Sequence, residues 1–194
     1  MTSPMDKNII VGEALSELNS IKKNTQAIVS AFHLVEHLES DLIYSFIEKS
    51  YEVLLPGGIL IIETPNCENI ETSGTSFWLD PTHIRPIPIQ LLQFFTGQCG
   101  FNRTKVLRFQ ESKQLHNQHS VIKLTDVLFG VSPDIAIVAQ KGPSTHNLIQ
   151  QLNMAFTKKY GLSLRDLAER YDKQIETKKA YSRNRRKNRT ILGD

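Results

Sequence analysis

An α/β fold with a largely parallel sheet, followed by a helical extension, is what this sequence predicts. Three observations carry it. Apolar runs of strand length recur at Asn8-Ile-Ile-Val11, Ala27-Ile-Val-Ser-Ala-Phe32, Ile59-Leu-Ile-Ile-Glu-Thr64 and Ile135-Ala-Ile-Val-Ala139. Segments with helical spacing separate them, and strand alternating with helix argues for a layered, mostly parallel sheet. After about residue 141 the strand signals stop and only helical periodicity remains.

The elements follow in order. Asn8 to Val11 is a short strand ended by Gly12, and Ala14, Leu15, Leu18 and Ile21 then recur at helical spacing. Continuous apolarity from Ala27 to Phe32 predicts a buried strand. Ser40 is placed to cap the next helix, whose face is Ile43, Phe46, Ile47 and Leu54. Pro56-Gly57-Gly58 breaks the chain before the Ile59–Thr64 strand, and Pro65-Asn66 ends that strand. A long polar and aromatic loop is expected from Cys67 to about Ile87. Gln90 to Gln98 reads as a helix stopped by Gly100, Arg103 to Phe109 as an edge strand, and Ile135 to Ala139 as a buried strand. Leu148, Leu152 and Ala155 mark a further helix, broken at Gly161. Ser163-Leu-Arg-Asp166 resembles a capping box, and Leu164, Leu167, Ala168, Tyr171 and Ile175 continue the helical pattern.

Composition removes several function classes. The 194 residues suffice for a core without staples, since a chain of this size buries roughly 70% of its unfolded surface. Two cysteines, Cys67 and Cys99, cannot build a disulfide scaffold or a four-cysteine zinc ribbon. They read as structural or bystander thiols in a reducing, cytoplasmic setting. No apolar run approaches the roughly 20 residues of a membrane span, and the first seven residues hold no signal core. The net charge of +3 conceals an asymmetry. Lys178, Lys179, Arg183, Arg185, Arg186, Lys187 and Arg189 form a basic tail. Without those seven, 16 basic residues face 20 acidic ones, a balance of −4. Such a tail is either a solvated helix end or a contact for a polyanion or an acidic membrane surface.

In parallel α/β sheets ligands bind beyond the carboxyl ends of the strands. The residues there are Glu13 and Ala14, His33-Leu-Val-Glu36-His37, and Pro65-Asn66 with the loop that follows. The string H-x-x-E-H is also the inverted zinc-protease motif, which needs both histidines on one helix face. A strand running directly into His33 argues against it.

Phe32-His-Leu-Val-Glu-His-Leu38, a helix, and Val53-Leu-Leu-Pro-Gly-Gly-Ile-Leu-Ile-Ile-Glu-Thr-Pro-Asn66 resemble the second half of a class I S-adenosylmethionine-dependent methyltransferase. Trp78-Leu-Asp-Pro-Thr-His-Ile-Arg-Pro-Ile-Pro88, Leu128-Phe-Gly130 and Asp134-Ile-Ala-Ile-Val-Ala139 are similar to a subgroup that modifies cell-surface polysaccharide, the O-antigen capping type. The resemblance covers roughly residues 8 to 141. It implies a Rossmann-like methyltransferase sheet that is incomplete, because the family's Gly-x-Gly-x-Gly turn is absent and Asn8 to Val11 corresponds to the family's third strand. The implied division is a partial methyltransferase-like domain over 8–141 and a helical extension with a basic tail over 142–194. A truncated sheet would leave the Ala27–Phe32 strand with an unpaired edge.

The resemblance places Glu13, Ala14, Phe32 and His33 at the S-adenosylmethionine. It places Asn66, Trp78 and Arg85 at the acceptor, a glycan or small-molecule hydroxyl. His37, Asp80 and His83 are the catalytic candidates, with a histidine suited to deprotonating a hydroxyl. His33, Glu36, His37 and His83 could together hold a divalent metal, although helix capping and loop hydrogen bonds account for them more simply. Likewise Trp78 stacks on a sugar or plugs the core, and Asp80 either acts chemically or holds its loop. The competing functional expectation is a non-catalytic remnant or partner module. It would associate with a second copy or another chain through the exposed sheet edge and the C-terminal helices.

Overall fold

The computed structural model describes residues 9–142 and 146–191. Its elements are α1 (Ala14–Ser20), β1 (Gln26–Phe32), a 3-10 turn (Val35–His37), α2 (Ser40–Val53), β2 (Leu54–Pro65), α3 (Ile70–Gly74), a second 3-10 turn (Ser76–Leu79), α4 (Ile89–Gln98), β3 (Arg103–Leu107), α5 (Lys113–His116), α6 (Leu124–Phe129), β4 (Asp134–Gln140), α7 (His146–Thr157) and α8 (Leu164–Ile191).

The four strands form one sheet in the order β1-β2-β4-β3. The α/β class is as expected, but the sheet is mixed rather than mostly parallel. β1 and β2 are parallel, whereas β4 is antiparallel to both β2 and β3. The reason lies in the connections. α2 carries the chain back between β1 and β2, as parallel strands require. Between β3 and β4 the chain stays at one end of the sheet, so β4 returns in the opposite sense. Asp134 therefore lies at the same end as the carboxyl ends of β1 and β2, opposite Pro65.

Register sorts the side chains. Ala31, Ile62 and Ile137 lie side by side, as do Leu60 and Ala139. Their face packs on Ile43, Phe46 and Ile47 of α2 and Leu92 of α4, which form the main core. The opposite face is less covered. Ile28 and Phe32 of β1 are 59% and 58% exposed, against 0% for Ile137. β1 is an edge strand, and among the described residues no strand pairs with its outer margin.

Several expectations shift by physical cause. Asn8 lies outside the described residues. Ile9 to Val11 form no strand and are 70%, 75% and 96% exposed, because apolar residues without a ladder partner do not make a strand. Ser40 does not cap α2. Glu39 holds the cap position without a side-chain bond, and the Ser40 hydroxyl instead accepts from Arg85 Nη2. Leu54 belongs to β2, not α2, yet is fully buried. Pro56-Gly57-Gly58 does not separate α2 from the strand. It lies inside β2 at an irregularity in the ladder with β1. Gly57 there has φ 85°, which glycine adopts without strain. The Cys67–Ile87 loop contains α3 and the second 3-10 turn.

The capping box at Ser163 is present. Ser163 N–H donates to Asp166 Oδ2 at 2.8 Å, and Asp166 N–H donates to Ser163 Oγ at 3.2 Å. It opens α8, whose Leu167 is buried in a second cluster with Leu115, Ile122, Val127 and Val131. The side chains of Leu148 and of Arg185, Arg186, Lys187 and Arg189 lie outside the described residues. Among the described residues no helix is long and apolar enough to cross a membrane.

Where α2 meets the start of β2, Glu52 accepts from Lys23 and Lys49, both at 2.8 Å. Those hydrogen bonds hold its carboxyl down at about 2. A depressed carboxyl contributes stability that is present above its unfolded value and lost as pH falls through the folded one. Glu52→Gln should therefore flatten the acid limb of stability between pH 4.5 and about 2. Urea midpoints followed across that window check it, and an acid limb parallel to wild type would sink the assignment.

Candidate active site at the carboxyl ends of the strands

β1 ends at Phe32, and the next residue, His33, takes a left-handed φ of 49°. That turn directs the chain into the 3-10 turn carrying Glu36 and His37. The H-x-x-E-H string is thus not a helix face, which removes the protease geometry. Glu36 is fully buried. Its Oε1 accepts from His33 Nδ1 at 3.1 Å and its Oε2 from Thr64 Oγ1 at 2.9 Å. Both carboxylate oxygens are committed, and they tie the ends of β1 and β2 together.

The catalytic candidates His37, Asp80 and His83 come together. The imidazoles of His37 and His83 lie 4.7 Å apart. Asp80 Oδ1 accepts from Thr82 N–H at 2.8 Å and from Thr82 Oγ1 at 2.6 Å. These bonds lower its carboxyl below the usual range. The Thr82 hydroxyl in turn accepts from His37 Nδ1 at 2.9 Å. His83 Nδ1–H donates to the Phe77 carbonyl at 2.6 Å. With both Nδ1 atoms acting as donors, the neutral rings carry their lone pairs on Nε2. His83 Nε2 stands 3.8 Å from Asp80 Oδ2, beyond hydrogen-bond reach. The arrangement can accept a proton from a hydroxyl placed beside either Nε2.

The acceptor-side residues divide. Trp78 is 57% exposed, with its indole N–H fixed on the Ser73 carbonyl at 2.9 Å. It does not plug the core; the buried Phe77 beside it does. Asn66 is fully buried. It donates to the Ser132 carbonyl at 2.7 Å and accepts from Glu68 N–H at 3.0 Å, so it anchors the loop rather than facing a ligand. Arg85 is half-buried, its Nη2 donating to Ser40 Oγ at the start of α2.

The four metal candidates separate. Donor atoms of Glu36, His37 and His83 lie within 4.8 Å of one another, but His33 belongs to a different group with Glu63 and Asp134. Each Glu36 oxygen already accepts one hydrogen bond, from His33 and from Thr64. Sequence reasoning missed Glu63 and Asp134, because nothing in their spacing relates them to His33 before β4 is known to run antiparallel.

On the cofactor side, Glu13 is exposed and precedes α1, Ala14 opens that helix, and Phe32 and His33 close β1. An S-adenosylmethionine cradle of the glycine-turn kind needs bare backbone after a strand. None of the four described strands leads into a glycine cluster. Gly12 precedes a helix without following a strand, and a Cβ there would meet Glu17 Oε1 at 2.6 Å. The residues present do not fit a complete cradle.

No family model and no curated protein matches the sequence. Among solved structures, the chain is similar to a SAM-dependent methyltransferase from Archaeoglobus fulgidus, at 23% identity and a TM-score of 0.60. The match covers 69% of this chain and 67% of that one. A possible exported protein from Bordetella parapertussis matches at 9% identity and a TM-score of 0.43. Phosphoethanolamine N-methyltransferase 2 from Haemonchus contortus, in complex with phosphomonomethylethanolamine and S-adenosylhomocysteine, matches at 12% and 0.44. The chain spans 42% and 35% of those two proteins, and likeness at that level carries no argument. The first match shows the fold alone: an α/β methyltransferase-like fold with a mixed sheet.

Proposed function

We propose that this chain is an S-adenosylmethionine-dependent methyltransferase-type protein. Its described residues furnish the acceptor side of the site. The single observation that carries the reading is the convergence of His37, Asp80 and His83 at the carboxyl ends of the strands, in a fold shared with a methyltransferase. S-adenosylmethionine, when bound, supplies an electrophilic methyl group. The chain's own contribution is to hold an acceptor hydroxyl and take its proton at Nε2 of His37 or His83. Trp78 offers an exposed ring against which a sugar could stack, and Arg85 follows seven residues later in the same segment. That favours a glycan, such as a cell-surface polysaccharide of the O-antigen capping kind, or a small-molecule hydroxyl. Glu13, Ala14, Phe32 and His33 are the proposed cofactor contacts. We assign the unit to residues 8–141 with an extension over 142–194, in a cytoplasmic setting.

A second reading rests on a separate observation, that no strand pairs with the outer margin of β1 among the described residues. It makes the chain a partner module that receives a strand from another polypeptide and has no catalysis of its own. Calorimetry with S-adenosylmethionine separates the two. Because the glycine turn is absent, the enzyme reading expects weak but saturable binding, about 1 mM or tighter. Phe32→Ala should weaken it further. No saturable binding would overturn the enzyme reading for this chain and leave the partner module.

A further inference from the structure

We propose that His33, Glu63 and Asp134 form a site for one divalent cation of the Mn2+, Fe2+ or Zn2+ kind. The proposal does not depend on the methyltransferase reading.

One donor atom from each of the three residues lies within 4.8 Å of the others. They come from three elements: the turn after β1, the interior of β2 and the first residue of β4. His33 and Asp134 each have a side-chain partner that fixes them and leaves one atom to present. His33 gives its Nδ1 proton to the buried Glu36 at 3.1 Å, so in the neutral ring the Nε2 lone pair points away from Glu36. That Nε2 stands 3.6 Å from Glu63 Oε1 and 3.9 Å from Asp134 Oδ1. Asp134 Oδ2 accepts from Gln110 Nε2 at 3.1 Å, which leaves Oδ1 facing His33. The His33 N–H donates to the Glu63 carbonyl at 3.0 Å and holds that residue's main chain against the turn.

The result is a confrontation of acceptors. With Nδ1–H turned to Glu36, it is Nε2 that faces two carboxylate oxygens. Burial and the Asp134 charge push the Glu63 carboxyl up, as crowded negative charge should. Two things relieve such a cluster: a proton on Nε2, or a cation at its centre. The contact between His33 and Glu36 favours the cation. A metal-bound histidine characteristically gives its other N–H to a carboxylate, which fixes the tautomer and raises ligand basicity. Glu36, held in turn by Thr64 Oγ1, occupies that position. One imidazole with two carboxylates suits borderline metals over Mg2+. His33 is 48% exposed on its side chain, so the remaining coordination positions face solvent and could take an oxygen ligand.

The test is calorimetric titration of the untagged chain with MnCl2 and ZnCl2, with MgCl2 for comparison. The expected result is 1:1 binding at about 100 µM or tighter for Mn2+ or Zn2+, and at least about tenfold weaker for Mg2+. His33→Asn, Glu63→Gln and Asp134→Asn should each weaken it by about tenfold or more, while His83→Asn leaves it unchanged. Asparagine tolerates the left-handed φ at position 33. Should a variant fail to fold, Mn2+ broadening of wild-type NMR signals gives the position directly, and those of His33, Glu63 and Asp134 should vanish first. The proposal is overturned by absent 1:1 binding up to about 1 mM, by loss on His83→Asn with retention in Glu63→Gln, or by broadening centred elsewhere.

Discussion

Ile137→Ala is expected to destabilise the chain by about 2–5 kcal/mol. Ile137 sits in the middle of β4, between Ile62 of β2 and Val106 of β3, and is fully buried. Strands on both sides hold the main chain in place, so the site cannot collapse around the lost atoms and most of the cavity persists. Isoleucine to alanine removes apolar transfer energy and leaves that cavity, and the two costs add. Ile28→Ala provides the contrast. Ile28 faces outward on β1 and is 59% exposed, so its truncation should fall within about 0.5 kcal/mol of wild type. Urea unfolding with an unchanged m-value reads both. Similar losses at the two positions would mean that the exposed face is covered in solution.

Glu36→Ala is the second large effect, and its origin is polar. The Thr64 hydroxyl is buried and donates to Glu36 at 2.9 Å. Removing the carboxylate strands that donor, which costs about 1–3 kcal/mol, and the vacated volume adds to it. The loss should be reduced in Glu36→Ala combined with Thr64→Val, where no unsatisfied hydroxyl remains. A double-mutant cycle measures this, with a coupling energy of about 0.5–3 kcal/mol expected for groups in one network. Strict additivity would show that the Thr64 bond adds nothing. The same substitution frees His33 Nδ1, so the ring should lose its fixed tautomer, visible in 15N chemical shifts.

Much of this architecture was legible because burial leaves a one-dimensional trace. Ala27–Phe32, Ile59–Thr64 and Ile135–Ala139 each read as strands and lie within β1, β2 and β4. Direction was not legible. A buried run such as Ile135-Ala-Ile-Val-Ala139 looks the same whichever way it runs, and only the connection from β3 decides. Ile9-Ile-Val11 shows the opposite failure. Apolar composition alone suggested a strand, but a strand needs a ladder partner. At the site, the grouping of His37 with Asp80 and His83 followed from placing both segments beyond strand ends. Asn66 was ambiguous because a residue ending a strand can face a ligand or brace a loop, and its buried amide is bonded within the loop.

The margin of β1, which no strand pairs among the described residues, also has a consequence for how the chain behaves while folding. Gln26-Ala-Ile-Val-Ser-Ala-Phe32 carries no charge and no proline, the usual guards of an open strand. Intramolecular folding is first order in chain, whereas strand addition between two chains is second order. Raising the concentration during refolding therefore shifts flux from the first to the second, and β1 is the segment through which that loss would run. Refolding yield should therefore rise on dilution, as turbidity and recovered monomer at several chain concentrations would read.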